Sequence, residues 1–130
     1  ADAREPQQLV SDRDVVDALP RAVIVFDLES RVVLWSDAAE RLFGWRADEV
    51  IGPDVKIMIP ERLRGAHDRG FHNAMESGHL ASDGRARRTK GLTASGGNVY
   101  VTMTFAVISD AAGGAVGSVA VAREWVRDEE

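Results

Sequence analysis

The sequence contains no cysteine. That absence excludes disulfide bridges, thiolate metal sites, thiol nucleophiles and any chromophore held through a cysteinyl bond, and it leaves reducing and oxidising surroundings equally compatible. A basic surplus is also missing: the net charge is −5 and the sequence pI is about 5.2. Phosphate neutralisation needs clustered Lys and Arg, and only Gly84 to Lys90 is locally basic, so no nucleic-acid partner is expected. Apolar runs such as Ala22 to Phe26 are strand-sized, far below the roughly 20 residues that span a bilayer. Ala1 to Gln8 lacks the basic-then-apolar order of a signal peptide. A cytoplasmic location with no membrane segment is therefore expected. The sequence starts without Met and stops in the charged run Arg123 to Glu130, which suggests a fragment whose output region lies elsewhere in the polypeptide.

Catalytic signatures are missing too. There is no HExxH, no GxSxG, no GxxxxGK[ST] and no GxGxxG between a strand and a helix. Gly113, Gly114 and Gly117 lie between two strand-like runs and read as a hairpin turn rather than a phosphate cradle. Asp27 and Asp37 sit where turns and helix caps favour Asp, which is the simpler account than a catalytic carboxylate pair. No enzymatic activity is expected of this chain.

What is present is an ordinary globular mixture, 45% apolar and 28% charged over 130 residues. One domain of this size buries roughly two thirds of its unfolded surface. Ser11 and Asp14 form a capping-box start, and Pro20 ends a short helix over Asp12 to Leu19. Val23 to Asp27 and Arg31 to Trp35 predict a hairpin across Leu28 to Ser30. Asp37 is expected to cap a helix that Gly44 terminates, and Ala47 to Ile51 predicts a second one. Glu61 to Ser77 carries helical periodicity after Pro60. Leu92 to Ala94, Val99 to Ile108 and Val116 to Ala122 predict further strands joined by glycine turns. Along the middle one, Val99, Val101, Met103, Phe105 and Val107 alternate with Tyr100, Thr102, Thr104 and Ala106, giving one face a continuous apolar row that must be covered.

Among the three histidines, His67 shares a helical stripe with Leu63 and Phe71, beside the small residues Gly70 and Ala74. Such a histidine is either a packed core residue or an axial metal ligand with room for a flat group beside it. Arg85 and Arg87 share one side of a putative strand, Arg88 and Lys90 the other. Arg87 is then a donor to an anionic or polar ligand, or part of a solvated edge strand. Met58 and Met103 read as core filler, and Trp35, Trp45 and Trp125 as packing anchors.

The order hairpin, short helices, longer helix, three-stranded meander resembles the PAS domain from Leu19 to Glu124. The strings "VIVFDLESRVVLWSDAAERLFGW", "ADEVIG", "IPERLR" and "VAREW" carry the resemblance, with Asp37 and Ser30 standing where the family commonly has Asn and Gly. The resemblance implies an α+β fold, a five-stranded antiparallel sheet in order 2-1-5-4-3, with helices over one face enclosing a pocket. "IPERLRGAHDRGF" is similar to heme-binding PAS domains of oxygen-sensing kinases and phosphodiesterases, which carry a proximal histidine at the position of His67. The same alignment sets Arg85 where one heme branch has a distal Met, and Arg87 on the arginine those proteins direct at dioxygen. Ser82 and Asp83 depart from the usual apolar residues there, and Asn73 from a propionate-binding arginine. Val55 stands where light-sensing flavin adducts need a cysteine, which removes that chemistry.

These readings assign residues 1–20 to an N-terminal cap helix and flank, 21–125 to the PAS domain and 126–130 to the start of a linker. The function expected is signal transduction by a small-molecule or gas sensor, as in two-component systems, with heme b as cofactor. His67 would ligate the iron, and Arg87, Arg85, Gly70, Phe71, Ala74, Val101, Met103, Phe105 and Ala120 would line the pocket. The alternatives are a pocket for a non-heme small molecule, or a ligand-free module for dimerisation or domain docking through the N-terminal helix. A homodimer and an effector domain in the same polypeptide are the expected partners.

Overall fold

The structure is a computed structural model that describes residues 10–51, 69, 71–75 and 86–125. Its longest strand is built by the alternating run singled out above. β-Branched and aromatic residues at every second position make Asn98–Ser109 a strand, and its two edges pair with different neighbours. In chain order the elements are α1 (Asp12–Ala18), β1 (Ala22–Phe26), β2 (Val32–Trp35), α2 (Asp37–Phe43), α3 (Ala47–Val50), β3 (Arg87–Leu92), β4 (Asn98–Ser109) and β5 (Ala115–Glu124). The sheet order is β2-β1-β5-β4-β3, every neighbouring pair antiparallel. This is the α+β architecture expected from the sequence. Among the described residues no helix is long and apolar enough to cross a membrane.

Two boundaries differ from expectation. β3 runs from Arg87, within the putative basic strand, to Leu92 rather than Leu92 to Ala94 forming a strand of its own, and Thr93 to Gly97 is the turn into β4, closed by Thr93 N–H donating to the Gly97 carbonyl at 3.0 Å, with Gly96 at φ 93°. A polar strand, Arg-Arg-Thr-Lys-Gly-Leu, hides its pairing potential because it lies at the sheet edge, where charge is tolerated. The cap of α2 is Ser36, not Asp37: the fully buried Ser36 hydroxyl accepts from Ala39 N–H at 3.3 Å and also from Val23 N–H at 2.9 Å. Asp37 becomes the first helical residue, where its charge still favours the helix N-terminus. Two other local signals hold, while most of the helix expected over Glu61 to Ser77 lies outside the described residues. Ser11 and Asp14 form the capping box of α1, and Gly44 ends α2 at φ 80°.

The core lies between α2 and α3 and one face of the sheet. Ile24, Val32, Trp35, Ala39, Phe43, Val50, Val101 and Ala122 are its buried centre, with the Trp35 and Phe43 rings 5.6 Å apart. Two positions are sharply constrained. A Cβ on buried Gly117 would collide with the backbone carbonyl of Phe26 on the neighbouring strand, so only glycine allows β5 to approach β1 there. Ser30, in the β1–β2 turn, holds φ 65° and buries a hydroxyl with no hydrogen-bond partner. These two sites predict opposite outcomes in thermal unfolding. Gly117→Ala should destabilise the domain by about 3 kcal/mol through overpacking. Ser30→Gly should stabilise it by about 1 kcal/mol, because both the left-handed strain and the unsatisfied hydroxyl disappear.

Candidate functional site

Register decides which side chains meet. Residues directly opposite across an antiparallel pair project to the same face. Arg87 lies opposite Met103, and Thr89 opposite Val101. On the other side of β4, Phe105 lies opposite Ala120 and Met103 opposite Ala122, while Ile24 of β1 lies opposite Ala120. One face therefore carries Arg87, Thr89, Val101, Met103, Phe105, Ala120, Ala122 and Ile24, and the core under α2 shows that this is the helix-covered face. Val101, Ala120 and Met103 are buried and Phe105 is partly so; Arg87, on the edge strand, is exposed. The expected residues Arg87, Val101, Met103, Phe105 and Ala120 are thus neighbours on one surface.

The helical stretch across residues 71–75 shows a clear phase. Ala74 is buried, Phe71 is half-buried against the core, and Arg69, His72 and Asn73 are exposed. Ala74 on the helix and Ala120 and Ala122 on the sheet are therefore small, buried side chains. His67, Gly70 and Arg85 lie outside the described residues, as do Met58 and Val55.

Two tryptophans tie the helical side to the edge strand that bears Arg87. Trp35 Nε1 donates to the Trp45 carbonyl at 2.8 Å, and Trp45 Nε1 donates to the Leu92 carbonyl at 3.0 Å. Ala94 N–H adds a bond to the Phe43 carbonyl at 3.1 Å. A buried or half-buried indole N–H needs such a partner, and here the partners are backbone groups of separate elements.

The aspartates weighed as a catalytic pair both take part in local structure, Asp27 through its carboxylate and Asp37 through its backbone N–H. Asp27 accepts from Glu29 N–H at 2.9 Å, Arg31 N–H at 3.0 Å and Arg31 Nε at 3.0 Å. Burial alone would raise its pKa, but the backbone N–H groups of Arg31 and Glu29 and the Arg31 guanidinium outweigh that and hold it below the ordinary value of 3.8. Asp37 donates its N–H to Asp17 at 3.2 Å, and the Arg13 guanidinium hydrogen-bonded to Asp17 holds that carboxyl low as well. Both aspartates serve a turn or a helix start.

The family model described as the PAS fold matches residues 12–124. The chain belongs to the PAS family. PAS domains are sensory modules, generally not catalytic, and this one is a PAS sensory domain. It is 46% identical over 56 residues, 43% of the chain, to the sensor protein FixL of Bradyrhizobium diazoefficiens. It is 28% identical over 86 residues, 66% of the chain, to the oxygen sensor protein DosP of Escherichia coli. These matches take in 11% of each relative's length. Among solved structures, the PAS domain of a Colwellia psychrerythraea protein superposes with a TM-score of 0.72 at 19% identity, covering 85% of this chain and 91% of that one. The Rhodobacter sphaeroides LOV protein gives 0.71 at 14% identity, over 88% and 65% of the two chains.

What sequence reasoning missed in this PAS domain lies on the opposite face. Arg88, placed by alternation on the side of the strand away from Arg87, stacks over Tyr100 at 5.2 Å and Trp125 at 4.9 Å, and Arg21, Thr102, Thr104 and Arg123 line a groove beside it. Strand alternation gave the face, but the groove joins residues far apart in the chain.

The tryptophan relay yields a test. Trp45→Phe keeps the ring but leaves the Leu92 carbonyl without its indole donor, which should cost about 1 kcal/mol. Amide hydrogen exchange should quicken in β3 before it quickens in β1 or β5.

Proposed function

We propose that this PAS domain senses a small ligand held between its helices and the covered face of the sheet, most specifically heme with dioxygen or another gas as the signal. The observation that carries the reading is the position of Arg87, a cationic donor on the covered face, directly opposite Met103 and next to the buried row. A guanidinium set at the end of an apolar wall is suited to a polar ligand that the wall itself cannot hold. The identity shared with FixL, and with a protein described as an oxygen sensor, supports the same reading.

The described residues fit a flat apolar group. Ala74 and Ala120 are 2% and 1% exposed and carry the least volume a core side chain can, on the two walls that would sandwich it. His67 stands four positions before Phe71 and seven before Ala74, the spacing of one helical stripe, and its neutral imidazole would hold the iron. Heme, when bound, supplies the metal centre at which a gas is recognised. Val101, Met103 and Phe105 would exclude water, Gly70 and Phe71 would border the plane, and Arg87, with Arg85 nearby in sequence, would offer N–H donors on the far side. An effector domain in the same polypeptide and a cytoplasmic location complete the proposal.

The visible spectrum of protein produced with heme available tests it. A Soret band should be present, be lost in His67→Ala, and persist in Arg87→Ala with dioxygen affinity lowered by roughly tenfold or more. A colourless protein, or a band unchanged in His67→Ala, overturns the heme reading.

A second reading, a ligand-free module for dimerisation, is favoured by α1. None of its residues is buried, and Val15 and the flanking Val10 and Leu19 are 51%, 52% and 43% exposed. Its described polar ties to the body are Arg13 donating to the Trp35 carbonyl at 3.2 Å and Asp17 accepting from Asp37. Sedimentation should then give twice the monomer mass for the full chain and the monomer mass after removal of residues 1–20. Equal oligomeric states would count against this role.

A further inference from the structure

On the outer face of β3, two cations and two aromatic rings form one cluster. Arg88 and Lys90 alternate with Arg87 and Thr89, so both project to the face away from α2. Two residues along an extended strand set their Cα atoms about 7 Å apart. The ion pairs among the described residues involve Arg13, Arg31 and Arg46, and none includes Arg88 or Lys90. Tyr100 lies directly opposite Lys90 and is 45% exposed, and Trp125 N–H donates to the Tyr100 carbonyl at 2.8 Å, which fixes both residues at one end of the sheet. The Arg88 guanidinium lies 5.2 Å from the centre of the Tyr100 ring and 4.9 Å from that of Trp125. Contact with rings uses the face of a guanidinium and leaves its N–H edge for an acceptor.

We propose that this cluster docks an acidic polypeptide segment, with carboxylates on alternate residues meeting Arg88 and Lys90 and an apolar side chain covering the Tyr100 and Trp125 rings. Charge complementarity selects the occupant. Like charges on one face of a strand repel until a counter-charge reaches them, and the carboxylates of an extended segment repeat at the spacing of these two side chains. Arginine, tyrosine and tryptophan are the residue types that carry most binding energy at protein interfaces. The ring contacts order the Arg88 side chain before a partner arrives, which lowers the entropy lost on docking. Single-stranded nucleic acid also takes cations and rings, but it needs a basic track along its backbone, which a chain of net charge −5 does not favour. The cluster is independent of the heme proposal, because it lies on the opposite face and uses none of the same side chains.

The test is an amide NMR titration of the full chain at constant ionic strength with the end-capped peptide Glu-Ser-Glu-Leu-Glu, beside its neutral counterpart Gln-Ser-Gln-Leu-Gln. Saturable shifts at Arg88, Lys90, Tyr100 and the Trp125 indole N–H are expected with the glutamate peptide, and affinity about tenfold or more lower with the glutamine one. In variants that thermal unfolding shows to be folded, affinity for the glutamate peptide should fall by about tenfold or more in R88Q/K90Q and stay within about twofold in R41Q/R46Q, which removes two cations elsewhere. The comparison of the two peptides on the unaltered chain needs no variant. Linear shifts without saturation, equal affinity for the two peptides, equal weakening in the two variants, or tighter binding of a short oligothymidylate than of the glutamate peptide would overturn the site.

Discussion

Everything in this domain depends on the pairing of β4 with a neighbour on each side. Because side chains alternate with a period of two, a slip of a single residue along this strand would turn Val101 and Met103 to the outside and Thr102 and Thr104 into the core. The long register with β5, from Val101 opposite Glu124 to Ser109 opposite Ala115, makes that slip costly. The glycine turns at both ends of β4 hold it in place: Gly96 and Gly113 at positive φ, and the Asp110 carboxylate accepting from Ala112 and Gly114 N–H at 3.0 and 2.9 Å. Gly117 completes the restraint by letting β5 lie against the Phe26 carbonyl.

From that register follow two faces with different chemistry. The covered face is largely apolar, narrows to alanine at Ala120 and Ala122, and carries Arg87 at the edge strand. The opposite face is hydroxylic and cationic, with aromatic rings supporting Arg88. The bonds from Trp35 to Trp45 and from Trp45 to Leu92 join the helical side to β3, the strand both faces share at that end. A change in the position of β3 would therefore move Arg87 on one side and Arg88 on the other together.

Much of this was legible in the sequence. Val99 to Val107 announced both a strand and its buried face, Gly44 its helix end, and Ser11 with Asp14 a capping box that formed as drawn. The cap of α2 was misassigned because Ser36 and Asp37 are equally good cap residues locally, and the choice depends on Val23 N–H, which reaches Ser36 only once β1 is in place. β3 was read in two pieces, a putative basic strand and Leu92 to Ala94, because Arg87 to Lys90 has none of the apolar alternation that marks a half-buried strand; its pairing comes from β4's free edge. At the candidate site the row on β4 and the inward phase of Phe71 and Ala74 were readable from periodicity. The outer groove was not, since Arg21 and Arg123 become neighbours only through the β1–β5 register.

The most direct test of the central claim is an isotope-edited NOE spectrum of the protein with its Met103 methyl group labelled. The register predicts contacts from that methyl to the Arg87 side chain and to the methyl of Ala122, its two cross-strand neighbours. Contacts instead to Arg88 and Arg123 would mean that β4 is displaced by one residue, that Met103 faces away from the helices, and that neither face is built as described.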